Sequence, residues 1–190
     1  MDASHATAGH AVFETVLGFM GIAWSDAGLT RLCLPQRNRD AVERRLLRHA
    51  SHVEQAAKPE PQWIAELIAS IKAYAAGEDI DFSNVPVDLS GVDEFRLAIY
   101  DAARKLGFGE TTTYGELAKR AGHAGLARET GAALGANPVP LVIPCHRILA
   151  AGGKIGGFSA PGGSATKEKM LAMEGVRVGP PPPAQVSFGF

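Results

Sequence analysis

Apolar and polar residues alternate along Leu29-Thr30-Arg31-Leu32-Cys33-Leu34, the period of a strand with one buried face. Val12–Leu17 and Gly21–Ser25 have the same short strand character, and Asp26-Ala27-Gly28 supplies a turn. The period then changes. Val42, Leu46 and Leu47 mark the apolar side of a helix over Asp40–His49. Pro59 and Pro61 open a second helix, in which Ile64, Leu67, Ile68 and Ile71 recur at helical spacing until Gly77 stops it. Residues 1–10 read as a loose start, and Cys33 as a packing residue of the third strand. This half, residues 1–85, reads as an α/β supporting domain: a small antiparallel sheet with covering helices.

Asp79–Ser90 has no helical period, and the domain boundary is placed there. Residues 90–177 form a second, mainly α-helical domain. Phe95, Ile99 and Leu106 line one side of a helix from about Asp93 to Leu106, ended by Gly107 and Gly109. Thr113-x-x-Glu116 is a capping box, in which each side chain satisfies the other's backbone amide. A short helix over Tyr114–Ala121 follows, and another runs from near Leu126 to Gly135. Two short helices joined by a glycine-containing turn make a helix-turn-helix candidate of winged-helix-like type. The second is rich in small residues (Ala127, Thr130, Gly131, Ala132, Ala133) with Arg128 as its one long cation. Small side chains permit close backbone approach, either to an external ligand or to another helix of the same chain. Asn137-Pro138-Val139-Pro140 cannot be helical and leads into the apolar Leu141-Val142-Ile143. Glycines from Gly152 to Gly163 make a loop carrying Phe158, and Lys167–Glu174 is the last helix. Residues 178–190 are a Pro-rich tail, with Phe188 and Phe190 able to dock.

Composition narrows the class. An apolar fraction of 46% supports a real core, and no apolar run reaches the ~18 residues of a membrane helix. No secretory pattern is visible at the start, and two cysteines make no disulfide framework, so a reducing cytoplasmic compartment is expected. The net charge of −1 is unevenly spread: residues 1–89 hold eight Lys/Arg and twelve Asp/Glu, residues 90–177 eleven and eight. A mildly basic second half suits a polyanion. The histidines and cysteines show no metal-ligand spacing, so neither metal nor cofactor is expected. His49 and His52 read as surface residues.

Candidate chemistry centres on Pro144-Cys145-His146-Arg147. The thiolate is the nucleophilic form of cysteine, and a nearby imidazole or helix N-terminus lowers a thiol pKa. The plainer reading is a small buried hydrophobe beside an accidental histidine.

The chain also carries, in order, Tyr114-Gly115-Glu116-Leu117-Ala118, Ala127-Arg128 with Gly131, Gly135-x-Asn137-Pro138, Ile143-Pro144-Cys145-His146-Arg147 and Glu174-Gly175. Over about residues 92–177 this resembles the O6-alkylguanine-DNA alkyltransferase family, the methylated-DNA–protein-cysteine methyltransferases; over residues 1–85 only the strand–turn–strand outline agrees. The resemblance implies single-turnover transfer of an alkyl group from guanine O6, with thymine O4 a further possible donor, to Cys145. Alkylated double-stranded DNA is the implied partner and a monomer the implied state, cytoplasmic or nucleoid-associated in a bacterium and nuclear in a eukaryote. By that resemblance His146 acts through a water as base for Cys145, and Glu174 orients the imidazole. Tyr114 assists the leaving guanine and the rotation of the nucleotide, and Arg128 fills the gap in the duplex. Ala127, Gly131 and Thr113 belong to the DNA-facing surface, and Asn137 supports the turn. Val142, Pro144, Arg147, Ile155, Gly156, Phe158 and Ser159 surround the substrate pocket.

The sequence departs from the family pattern. Glu129-Thr130 follows the arginine where a small apolar residue is usual, Phe158 stands where tyrosine is common, Tyr100 replaces a frequent tryptophan, and Ser159-Ala160-Pro161 lengthens the loop. Two other classes are weighed. A binding-only recogniser of alkylated DNA would lack the cysteine. A Cys–His hydrolase would need an oxyanion hole and repeated turnover.

Overall fold

The structure, a computed structural model, describes residues 9–48 and 60–179. The expected loose start up to residue 8, His49, His52, Pro59 and the tail from residue 180 lie outside the described residues. Strands β1 (Gly9–Thr15), β2 (Gly18–Ser25) and β3 (Gly28–Gln36) form one antiparallel sheet in the order β1-β2-β3. β1 stops two residues short of the expected Leu17. The Thr15 hydroxyl donates to the Gly18 carbonyl at 2.9 Å and accepts from the Leu17 amide at 3.1 Å, which closes the hairpin and leaves Val16 and Leu17 exposed.

The sheet buries both faces. Ala23 and Cys33 pack on one side against Val42 and Leu46 of helix α1 (Arg39–Leu47). Asn38 caps that helix by accepting from the Ala41 amide at 2.8 Å. Gly21 lets α1 lie close, because a Cβ there would sit 2.5 Å from Val42 Cγ1. Leu47, expected on the apolar side, is exposed: it lies ~100° around the axis from Leu46 and turns away from the sheet. On the other side Met20, Ile22, Trp24, Leu32 and Leu34 meet Ile64, Leu67 and Ile71 of α2 (Gln62–Ala75).

That second core continues into the helical half, taking in Ile99, Leu117, Ile143 and Ile148. The backbone also crosses: the Leu32 amide donates to the Pro138 carbonyl at 3.0 Å, and the Leu29 amide to the Pro86 carbonyl at 2.9 Å. Helices α3 (Glu94–Arg104), α4 (Tyr114–Arg120), α5 (Ala127–Gly135) and α6 (Gly163–Met173) follow. Asp93 caps α3 through the Arg96 amide. α6 begins four residues before the expected Lys167. The Thr166 hydroxyl donates to the Pro161 carbonyl at 2.6 Å, Gly162 takes a left-handed φ of 84°, and the run of small residues there hides the helical period. Among the described residues no helix is long and apolar enough to cross a membrane. The architecture is therefore a small antiparallel three-stranded sheet with helices, followed by a mainly helical region.

Candidate active site

Cys145 opens a single 3₁₀ turn, Cys145–Arg147, after a tightly folded approach. Asn137 organises that approach. Its side-chain amide donates to the Ile143 carbonyl at 2.8 Å, and its oxygen accepts from the Val139 amide at 3.0 Å. Between them Leu141, 1% exposed, is held at a φ of +77°. Such a conformation costs a non-glycine residue ~1–3 kcal/mol, and here the Asn137 bonds and the burial of Leu141 enforce it. The thiol ends up buried at 8% exposure. Burial pushes its pKa up, against the lowering influence of Asn137, Lys167 and the local backbone. The expected lowering of the thiol pKa is thus corrected: desolvation of the charged form outweighs the neighbours, and the resting group is a thiol.

His146 points away from solvent into a buried polar cluster. Its Nε2 meets Glu174 Oε1 at 2.7 Å, and its Nδ1 has no hydrogen-bond partner among the described residues. Burial lowers the imidazole pKa although Glu174 pulls it upward, so the ring is neutral. Glu174 collects donors on both oxygens. Arg147 donates through Nε at 2.9 Å and Nη2 at 3.0 Å, Tyr74 through its hydroxyl at 2.8 Å, and the Gly109 amide at 3.0 Å. Burial alone would raise the carboxyl pKa, but the bonds from His146 and Arg147 bring it down to about 2. Tyr74 comes from α2, in the N-terminal half, and no sequence signal pointed to it.

Tyr114 is brought to the thiol by a two-strand parallel pairing. β4 (Thr112–Thr113) pairs with β5 (Ile148–Leu149), fixing the start of α4 just past the Cys145 turn. The Thr113 hydroxyl accepts from the Glu116 amide at 3.3 Å, as expected of the cap. The return arm of the capping box is not made: the Glu116 carboxylate turns toward Arg120, at 3.7 Å. Behind Tyr114 stands Lys167, fully buried and missed by sequence reading. Its ammonium donates to the Ile148 carbonyl, to the Tyr114 hydroxyl at 3.4 Å and to the Gly157 carbonyl at 3.4 Å. Burial lowers its pKa to about 8, the nearby Cys145 opposing. It lies on the same face of α6 as the buried Met170 and Leu171.

These groups border an open groove of about 530 Å³ lined by Tyr114, Ala127, Arg128, Gly131, Cys145 and Phe158, with Ser159 at the rim. Thr130, Ala133 and Leu134 form the buried face of α5, and Tyr100 anchors it through the Ala133 carbonyl at 2.8 Å. Arg128, Gly131 and Gly135 share the opposite face. A Cβ at Gly131 would meet nothing nearer than Tyr114 ring carbons at 3.9 Å, so internal packing does not demand glycine there. Other expected pocket residues lie further back. Val142 and Pro144 are buried supports, Ile155 and Gly156 are half-buried, and Gly156 lies against Ala150 and Tyr114. The Arg147 guanidinium is committed to Glu174 and to the Leu106 carbonyl at 2.6 Å.

A lone nucleophilic thiol, backed by a neutral histidine on a buried carboxylate, opens onto a groove walled by small residues and one arginine. This is the class of a thiol group-acceptor working on a large ligand. Comparison with known proteins gives the family. The family model for the 6-O-methylguanine DNA methyltransferase DNA-binding domain matches residues 94–176. A methylated-DNA–protein-cysteine methyltransferase of Methanothermobacter thermautotrophicus is 34% identical over 157 residues, 83% of this chain and 80% of that protein. The solved Mycobacterium tuberculosis OGT in complex with DNA superposes with a TM-score of 0.68 at 30% identity, covering 87% of this chain and 91% of the other. The O6-methylguanine-DNA methyltransferase of Pyrococcus kodakaraensis gives 0.67 at 25% identity, over 88% and 100%. The chain belongs to the methylated-DNA–protein-cysteine methyltransferase family.

Proposed function

We propose that this chain repairs duplex DNA by moving an alkyl group from guanine O6 to Sγ of Cys145, once per molecule. The observation that carries the reading is the buried His146 Nδ1, a proton acceptor with no partner among the described residues, on the residue that follows the groove-lining Cys145, while Nε2 is fixed on Glu174. A water linking Sγ–H to Nδ1 takes the thiol proton to the imidazole, and the ionised, doubly anchored Glu174 stabilises the imidazolium. The thiolate then attacks the alkyl carbon. The S–C bond forms, the C–O6 bond breaks, and the electron pair leaves with guanine, which takes a proton from Tyr114. Lys167, on the Tyr114 hydroxyl, positions that phenol. The thioether has no group to reverse it, so each molecule reacts once.

The duplex has to surrender the nucleotide, since O6 cannot be reached in line within a stack; extrusion costs a few kcal/mol and least for a damaged base. α4 and α5 act as the helix-turn-helix. Arg128 enters the gap, and the small face of α5 admits the backbone. The phosphate contacts come from residues 90–177, with residues 1–85 as supporting domain. The backbone at Val142 and Cys145 and the Ser159 hydroxyl read the guanine edge. Thymine O4 offers the same bond to break. Mixing the protein with excess duplex containing O6-methylguanine and weighing it intact tests the reading. One added methyl on the Cys145 peptide, with product stopping at one per protein, is expected. Continuing turnover would point instead to the hydrolase.

A further inference from the structure

We propose that Arg31 and Arg45 give this protein an anion-selective substituent channel, so that it favours O6-alkyl groups ending in a carboxylate over cationic ones of similar size. The proposal rests on the alkyl-transfer reading above. Two openings meet at Cys145. The groove beside α5 is one. The second, about 120 Å³, shares Leu134, Gly135, Phe158 and Ser159 with the first, and runs on past Asn137 and Pro140 to the edge of the sheet. Its far end is lined by Arg31 and Cys33 of β3 and by Arg45 of α1.

Displacement at carbon puts Sγ, the reacting carbon and O6 nearly in line. Everything the alkyl group carries beyond that carbon projects sideways. Guanine, still joined to its strand, occupies the groove with Arg128, so the second opening is the room left for the substituent. Its charge is one-sided. Among the described residues neither Arg31 nor Arg45 has a carboxylate partner; Glu43, on the same helix as Arg45, pairs with His10 at 3.5 Å. Among the described residues no Asp or Glu lines the channel. The two guanidiniums feel each other's charge, and Arg31, half-buried, has its pKa lowered by burial first, with Cys33 raising it and Arg45 lowering it further. A carboxylate there would relieve the like-charge contact and accept paired N–H donors. An ammonium would add a third cation.

The test uses free bases, which carry no phosphate: O6-benzylguanine, O6-(4-carboxybenzyl)guanine and O6-(4-aminomethylbenzyl)guanine. Alkylation rates of Cys145 are read by intact mass for the parent, for Arg45→Gln and for Arg31→Gln/Arg45→Gln. Partly exposed pairs of this kind change a rate by about 1.5- to five-fold. The parent should favour the carboxylate over the amine by that factor, the double variant should react with both alike, and the exposed Arg45→Gln should lie between. Comparing the two charged probes on one protein cancels any general loss of activity, and the single variant serves if the double fails to fold. An unchanged ratio in the variants, or no preference in the parent, overturns the proposal. A flat ratio together with weakened duplex binding by the double variant assigns the arginines to DNA phosphate instead. No alkylation by any probe, with methylated duplex also inert, would defeat the transfer reading itself.

Discussion

Cys145 must be an unreactive thiol before substrate arrives and a thiolate when it does. Burial supplies the first condition by raising the thiol pKa; in the mechanism proposed above, the His146–Glu174 pair supplies the second by offering a route for the proton. Cys145→Ala should retain DNA binding and lose transfer, whereas Cys33→Ala, packed under α1, should retain both; mass spectrometry and a binding titration separate the two. Glu174 carries the larger structural load. Removing its charge strands a buried guanidinium, so Glu174→Gln should cost ~3–5 kcal/mol, seen in urea unfolding at neutral pH. The pH dependence has a definite sign. The carboxyl lies at about 2 in the folded protein against an ordinary 4.5. Between those values the unfolded chain binds more protons, so this stabilisation is complete above ~4.5 and is lost as pH falls through about 2. Unfolding measured from pH 5 down to 3 should show a shallower acid loss in Glu174→Gln than in the parent.

At the scale of elements, α5 divides its labour by face. Thr130 and Ala133 hold it down, Arg128, Gly131 and Gly135 look into the groove, and the buried Leu134 borders both. Arg128→Ala should therefore impair repair in duplex DNA far more than reaction with free O6-benzylguanine, because only the duplex requires extrusion. Equal losses on both substrates would place Arg128 in the pocket rather than in the duplex gap. Glu129 is exposed in the first turn of the same helix, where the capping position is Leu126, which offers no side-chain cap. A carboxylate there is favoured by ~0.3–1 kcal/mol through the helix dipole, and repelled by phosphates to a similar, salt-screened extent. Glu129→Ala should lower thermal stability slightly and raise duplex affinity a few-fold at low salt only. Titrations at two salt concentrations decide it, and weaker binding at low salt would assign Glu129 a supporting contact.

Across the whole molecule the N-terminal half is more than a passive support. Tyr74 of α2 donates to the Glu174 oxygen that also receives His146. Tyr74→Phe leaves a buried carboxylate short of one donor, and should cost ~1.5–3 kcal/mol while slowing alkylation of Cys145 by free O6-benzylguanine. A stability loss with an unchanged rate would confine Tyr74 to the fold. The charge asymmetry is also a property of the whole. Residues 90–177 hold eleven Lys/Arg and eight Asp/Glu. Duplex affinity should fall with salt, along a shallow slope set by few phosphate contacts. An affinity indifferent to salt would contradict the DNA-facing role of this half.

Alternation in Leu29–Leu34, the helical spacing of Ile64, Leu67 and Ile71, the Thr113 cap, and the proline–glycine punctuation are local properties, set by neighbours a few residues away, and they made the elements legible. So did the nucleophile, since Pro144-Cys145-His146-Arg147 lies in one stretch. What the chain order could not express was distance. Tyr74, Gly109, His146 and Arg147 converge on Glu174 from segments up to 100 residues apart. Lys167, read only as the start of the last helix, is buried against Tyr114 by the tertiary fold. Arg31 and Arg45 line the same opening as Cys145 because the fold brings β3 against the Pro138 segment, through the Leu32 amide and the Pro138 carbonyl. The direction of the thiol pKa was decided in the same way. Both the Lys167 charge near Cys145 and the desolvation of its thiol depend on how the folded chain closes over it, and that exists only in three dimensions.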